Sequence, residues 1–435
     1  MATLSIIRGR VIDPASNLDL ITDLHIAEGQ IIAMGSPPAN FSADKLIDAT
    51  DQIVCPGLVD LSVRLREPGA EHKGTIFSET RAAAANGITT VCCPPDSDPV
   101  IDTQAIAELL QQRAAKAGMA KVLPLAALTQ GLKGEHLAEM GILKEAGCIA
   151  VSNVLPIVNT DVFRYALEYA ANYELTVFLH ARDPWLGHNG CAHEGAISTR
   201  LGLSGIPEAT ETIEVARDLL LIEMTGVRAH FCQLSSARAV ELIKQAQAKG
   251  LPVTADVSAH HLFLTDQDIN NYNTQCHVFP PLRSEQDKEA LREGLLQGTI
   301  NAICSDHQPH ETDAKLNPFS MSAPGISGLD TLLPLTLHLA EAMQLDLITA
   351  LSYVTHKPAQ LLGLDAGTLA IGHPADICIF DPNRSWRLSP DNMYSKGHNS
   401  PFLGWEFKGK VTYTLSNGRI IWSTHFVSSE ERSTL

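Results

Sequence analysis

The chain has 435 residues, 45% of them hydrophobic, which is enough to bury a large core. Its 32 basic and 49 acidic residues give a net charge of −17, which argues against nucleic acid or an anionic membrane as a partner. No apolar run nears the roughly twenty residues of a membrane helix, and Met1-Ala2-Thr3-Leu4-Ser5 does not begin a basic-then-apolar leader, so a cytoplasmic location is expected.

Residues 3–55 alternate apolar and polar positions in short runs, broken by turn signals at Asp13-Pro14 and Glu28-Gly29, which predicts hairpins. From residue 55 compact apolar runs alternate with longer helical segments, as in β-α units around a parallel sheet. Eight such runs cover 55–65, 88–94, 122–128, 148–152, 175–180, 229–234, 252–257 and 300–305. They predict a (β/α)8 barrel in preference to an open doubly wound sheet. The segments 236–249 and 285–297 have apolar residues at helical spacing, with Gly250 and Gly298 just beyond. Further helices are expected over 332–343 and 347–353, after which strand and turn texture returns over 366–381 and 410–422. The expected plan is a barrel over 55–365 and one small β domain built from 1–54 and 366–435. Residues 428–435 read as a polar tail. The nine cysteines lack Cys-x-x-Cys spacing and are expected to be buried free thiols.

Reactive groups of a β/α barrel sit at the C-terminal ends of its strands. The first run ends with Ser62 and Arg64, alternate residues that project to the same side. Later runs end at Asn153, His180, Gln233 and Asp306-His307. His180 and Asp306 are metal-ligand types, but serine is a poor zinc ligand and a guanidinium stays protonated. Two ligands are too few for a catalytic zinc, which normally takes three from the protein. His260 and His261, at a strand end, should face opposite ways. His188, Cys191 and His193 read as a solvated loop. No Gly-x-Ser-x-Gly elbow, P-loop or dinucleotide fingerprint occurs.

Several motifs together resemble the dihydroorotase branch of the amidohydrolase superfamily. They are Leu65-Arg66-Glu67-Pro68-Gly69, the stretch 80–91, Gly202 to Pro207, Asp306-His307-Gln308-Pro309-His310, Pro324 to Leu329, and Gly372 to Asp376. The resemblance implies a (β/α)8 barrel with a composite β domain, hydrolysing or closing a cyclic amide with one or two zinc ions. Carried over position by position, it puts the family's His-x-His on Ser62 and Arg64, its strand-four acid on Asn153, and its strand-six histidine on Gln233. Only His180 and Asp306 keep a ligand type. On the substrate side Asp96 and Phe279 stand where the family has asparagines, whereas Arg66 and His310 are retained.

The expectation is therefore a dihydroorotase-like chain without catalytic residues, metal or other cofactor. The resemblance further implies a non-catalytic partner of aspartate carbamoyltransferase in pyrimidine synthesis, in a mixed oligomer. Two alternatives stay open. One is a single-ion hydrolase using His180, Asp306 and either His307 or His310. The other is a binder of an anionic pyrimidine precursor through Arg66 and His310. From the residues themselves, Arg66 is expected to pair with a neighbour such as Glu67, and the Arg64 guanidinium to fill the metal position and pair with Asp306.

Overall fold

A computed structural model describes residues 3–424, so the tail expected over 428–435 lies outside the described residues. Eight parallel strands follow one another in chain order around the barrel. They are β1 (Leu58–Asp60), β2 (Ile88–Cys93), β3 (Lys121–Ala127), β4 (Ala150–Ser152), β5 (Thr176–Leu179), β6 (Ala229–Phe231), β7 (Val253–Ser258) and β8 (Ala302–Cys304). All six residues of β2 are buried, as expected for a strand covered on both faces. β8 and β1 form no full ladder. A parallel bridge between Val63 and His307 completes the circle, with Arg64 N donating to His307 O and His307 N to Ser62 O, both at 3.0 Å.

The helices begin and end where local chemistry dictates. Ser236 Oγ accepts from Ala239 N ahead of helix Ala237–Ala248, and Ser284 closes a capping box with Asp287 ahead of Glu285–Leu296. Gly250 and Gly298 follow at φ 83° and 77°, a backbone region open to glycine at little cost.

A second sheet is built from both ends of the chain. Across it lie Arg419–Ser423, Glu406–Ser416, Ile377–Arg387, Ile53–Pro56, Leu4–Asp13, Leu18–Ala27 and Gln30–Met34, with Lys45–Asp48 also paired to Leu4–Asp13. Its own apolar core includes Ile6, Leu24, Ile26, Ile377, Ile379 and Leu415. The hairpins expected over 3–55 form between Leu4 and Met34, but Lys45–Asp48 and Ile53–Pro56 run parallel to Leu4–Asp13.

The expected first barrel run, 55–65, divides between the two sheets. Ile53–Pro56 pairs with Ile377–Arg387 in the second sheet, and β1 starts after Gly57. A Cβ at Gly57 would lie 2.3 Å from the Thr89 side chain, so only glycine fits where the chain passes from one sheet to the other. Because both halves are apolar and buried, hydrophobic periodicity could not divide them. All nine cysteines are buried and free, as expected. No described helix is long and apolar enough to cross a membrane.

Candidate site at the barrel mouth

Ser62 and Arg64 lie just past β1 and reach the same carboxylate. Arg64 Nη1 donates to Asp306 Oδ1 at 3.3 Å, and Ser62 Oγ donates to the same oxygen at 3.3 Å. The closer partner of Arg64 is Asp96, whose Oδ2 accepts from Nε at 2.7 Å. Gln308 Nε2, 3.1 Å from both Asp306 oxygens, completes the shell. Side-chain exposure is 14% for Arg64, 4% for Asp306 and 27% for Asp96, so water screens the Asp306 contact little and the Asp96 contact more.

The electrostatics follow from that burial. Removal from water raises the Asp306 carboxyl and Arg64 pulls it back, leaving it at about 6. Burial also pushes Asp96 upward, but there the Arg64 guanidinium wins and holds the carboxyl below its ordinary value. Burial works against the charge on Arg64, and Asp96 and Asp306 more than offset it. His180 is pressed down to about 4 by burial and then by Arg64, so its imidazole is neutral at pH 7.

Six of the ten positions named from sequence line one cavity of about 190 Å³: Arg64, Asp96, His180, Gln233, Phe279 and Asp306. Ser62 is buried beside it, against Asp306. Asn153 is turned elsewhere. Its Oδ1 accepts from Thr129 Oγ1 at 2.7 Å, while Nδ2 donates to the carbonyls of Leu155 and Leu132. Gln233 N donates to Asp256 Oδ1 at 2.7 Å, and its Nε2 to Cys304 Sγ at 3.7 Å. The Phe279 ring carries the Arg182 guanidinium 4.0 Å from its centroid.

Arg66 and His310 sit to one side of that cavity. Arg66 Nε donates to Pro309 O at 3.1 Å, and the expected partner Glu67 instead binds Arg113 at 2.6 Å and caps Ile76 N. Sequence adjacency misled here, because Arg66 has φ 64° and the left-handed turn sends its side chain away from Glu67. His310 Nε2 lies 3.0 Å from Pro324 O, a contact that requires the proton on Nε2, so the 3.3 Å approach of Arg66 Nη2 is packing and not donation. Burial, then Arg66, takes His310 down to about 3, and its Nδ1 is buried without a partner.

Three residues of the mouth were missed or misread from sequence. Asp96 appeared only as a spoiled substrate contact and is in fact the nearest partner of Arg64. Arg182 and Gln308 were not named as mouth residues: each lies past the end of its strand, and Asp306 has φ 44°, so alternation no longer fixes the side.

The other histidines are committed to packing. His307 Nε2 donates to Glu79 Oε2 at 2.9 Å and its Nδ1 accepts from Gly328 N at 3.1 Å, so both nitrogens are engaged. His260 and His261 do not face opposite ways. β7 ends at Ser258, and the tight turn Ala259–Leu262 brings both rings to Ser258 Oγ, at 3.2 and 2.6 Å. Cys191 and Ala192 are buried rather than solvated, because Ala192–His193 pairs with Gly205–Ile206 and His193 Nδ1 meets Arg283 at 3.1 Å. In the barrel interior, ligand-type atoms of His230, Cys232 and Asp256 lie within 4.8 Å of one another. The imidazole there is already bonded on both sides, to Asp256 Oδ2 at 2.9 Å and Thr254 Oγ1 at 2.8 Å.

The mouth therefore does not fit a divalent ion. A metal ligated by Asp306 would share that carboxylate with a permanent cation, with Asn153 turned away and Gln233 offering an amide bonded to sulfur.

Comparison with known proteins agrees with the architecture. Residues 51–239 match the family described as dihydro-orotase-like, and residues 305–422 match the amidohydrolase family. A dihydroorotase-like protein of Pseudomonas aeruginosa is 52% identical over 96% of this chain and 99% of its own. A dihydroorotase of Geobacter sp. is 43% identical over 95% of this chain and 98% of its own. An L-hydantoinase (dihydropyrimidinase) from Arthrobacter aurescens shares the fold, with a TM-score of 0.85 at 23% identity over 97% of this chain and 96% of that one. The chain belongs to the dihydroorotase-like family of the amidohydrolase superfamily.

Proposed function

We propose that this chain is a non-catalytic dihydroorotase-like subunit that assembles with the aspartate carbamoyltransferase catalytic chain in pyrimidine biosynthesis. The observation that carries the reading is the Arg64 guanidinium held between Asp96 and Asp306. A hydrolase of this family needs an electrophilic metal at the mouth to polarise the amide and supply hydroxide. Here a single side-chain cation, which has no coordination site to offer a substrate, bridges the two mouth carboxylates. The names of the relatives point the same way. Proteins at 50–52% identity are called dihydroorotase-like, whereas those at 43–44% are called dihydroorotases.

A single-ion hydrolase is the weaker reading, because His307 has no free nitrogen and His310, whose Nδ1 is unpartnered, does not line the cavity that holds His180 and Asp306. The binder of an anionic precursor is weakened by Arg66, which spends its Nε on Pro309 O. Nine buried free thiols suit a reducing cytoplasm. The test is co-expression with the aspartate carbamoyltransferase catalytic chain, followed by size-exclusion chromatography. A stable mixed oligomer, with poor assembly of the catalytic chain alone, is expected. If that chain assembles and turns over normally without this one, the scaffold role fails.

A further inference from the structure

Six large apolar side chains are 48 to 73% exposed on one side of the barrel: Leu155, Val158, Trp185, Ile213, Leu220 and Met224. The last three lie on helix Ala209–Thr225 at i, i+7 and i+11, one stripe along its outer face. The inner face is satisfied by buried Val215 and Ile222. Arg217 falls within the outer stripe and donates to Ile157 O at 3.2 Å, which docks the Leu155 to Val158 loop against it. Asp183 N donates to Thr210 O at 2.7 Å and Thr210 Oγ1 to Leu186 O at 3.0 Å, which docks the Trp185 turn on the start of the same helix. The six residues thus form one apolar region and are not scattered.

Charge decides what can cover it. Arg217 is already bonded to Glu214 and Asp218, at 2.5 and 3.0 Å. Asp183, Glu208 and Glu223 border the region and take part in no ion pair among the described residues; Arg182, beside Asp183 and stacked on Phe279, is likewise in no ion pair, so the border is acidic on balance. A second copy would bring the same acidic border, on a chain of net charge −17, against itself. We infer that the outer face of helix Ala209–Thr225, with the Leu155 to Val158 loop and Trp185, is a docking surface for a different protein. That partner presents an apolar patch bordered by lysine or arginine. The inference rests on the scaffold reading above, under which this partner is the catalytic chain.

The experiment measures association of the full-length chain with the aspartate carbamoyltransferase catalytic chain by sedimentation. Wild type is compared with Leu220→Glu/Met224→Glu, Glu223→Lys and, on the far β domain, Ile371→Glu. The double variant should weaken association at least tenfold, Glu223→Lys several-fold, and Ile371→Glu not at all. Circular dichroism and melting of each variant check folding, and the substituted side chains are exposed. Equal binding by wild type and the double variant sinks this surface but leaves the scaffold reading standing. If the wild-type chain does not bind the catalytic chain at all, both fail. A wild type that self-associates and becomes monomeric in the double variant assigns the face to a second copy and overturns the inference.

Discussion

Asp306 and His307 are neighbours in sequence and lie in differently built surroundings. Asp306 opens onto the mouth cavity, where Arg64, Ser62 and Gln308 surround it. His307 turns the other way, into a seam where Glu79 also accepts from Ser395 Oγ at 2.6 Å and Lys396 N at 3.2 Å. That seam ties the strap at 395–399 to helix Ile76–Ala85 and closes the barrel through the bridge to Val63. The seam is what the fold needs, and nothing in it requires metal chemistry. The mouth is where family chemistry would lie, and on the reading proposed above its residues trade a bound cation for a built-in one. On this reading the frame stays intact while the chemistry is exchanged, provided the buried Asp306 keeps a cation beside it.

Removing the built-in cation should disturb the balance most. Arg64→Leu leaves Asp306 buried without its cation and should lower unfolding free energy by about 3–5 kcal/mol in urea titrations at pH 7.5. The loss should be smaller at pH 5, where Asp306 can take up a proton. A variant as stable as wild type would mean the cluster is not the device described. On the seam side, His307→Ala removes one of the partners of the buried Glu79 and should cost about 2–3 kcal/mol, with no change in metal binding. If that variant gained or lost a bound ion, seam and mouth would not be separate.

The pH dependence separates the two regions more finely. Asp306 has a folded pKa of about 6 against an ordinary 3.8, so its protonated form is favoured in the folded state. Its contribution is fully present below about pH 3.8 and is lost as pH rises through about 6. The stability of wild type minus that of Asp306→Asn should therefore fall between about pH 4 and 6 and be flat above 7. A difference that rises with pH would reverse the assignment. The smallest effect belongs to His180, which makes no hydrogen bond among the described residues. His180→Ala should cost about 1 kcal/mol or less, and a loss as large as that of Arg64→Leu would reveal a partner this account lacks.

Much of this was legible in the sequence, for identifiable reasons. Alternation along a strand placed Ser62 and Arg64 on one side, and the need of a buried carboxylate for a counter-charge tied Arg64 to Asp306. Eight apolar runs gave the barrel because buried parallel strands leave a strong compositional mark. What failed lay where the backbone leaves regular geometry. Arg66 at φ 64° escaped the neighbour expected for it, and the turn after Ser258 brought His260 and His261 together where alternation would have parted them. The Gly57 crossing was invisible because two cores share one apolar run. Asp96 was misread because residue type shows charge but not which neighbour the loop will bring beside it.

The central claim is that the Arg64 side chain stands in place of a metal. The most direct measurement is metal content of the purified chain by mass spectrometry, after growth and purification with zinc present, alongside an assay for dihydroorotate hydrolysis on the same sample. Well under one zinc per chain and no turnover above the buffer rate are expected. One or more tightly held zinc ions per chain, accompanied by hydrolysis, would contradict the claim.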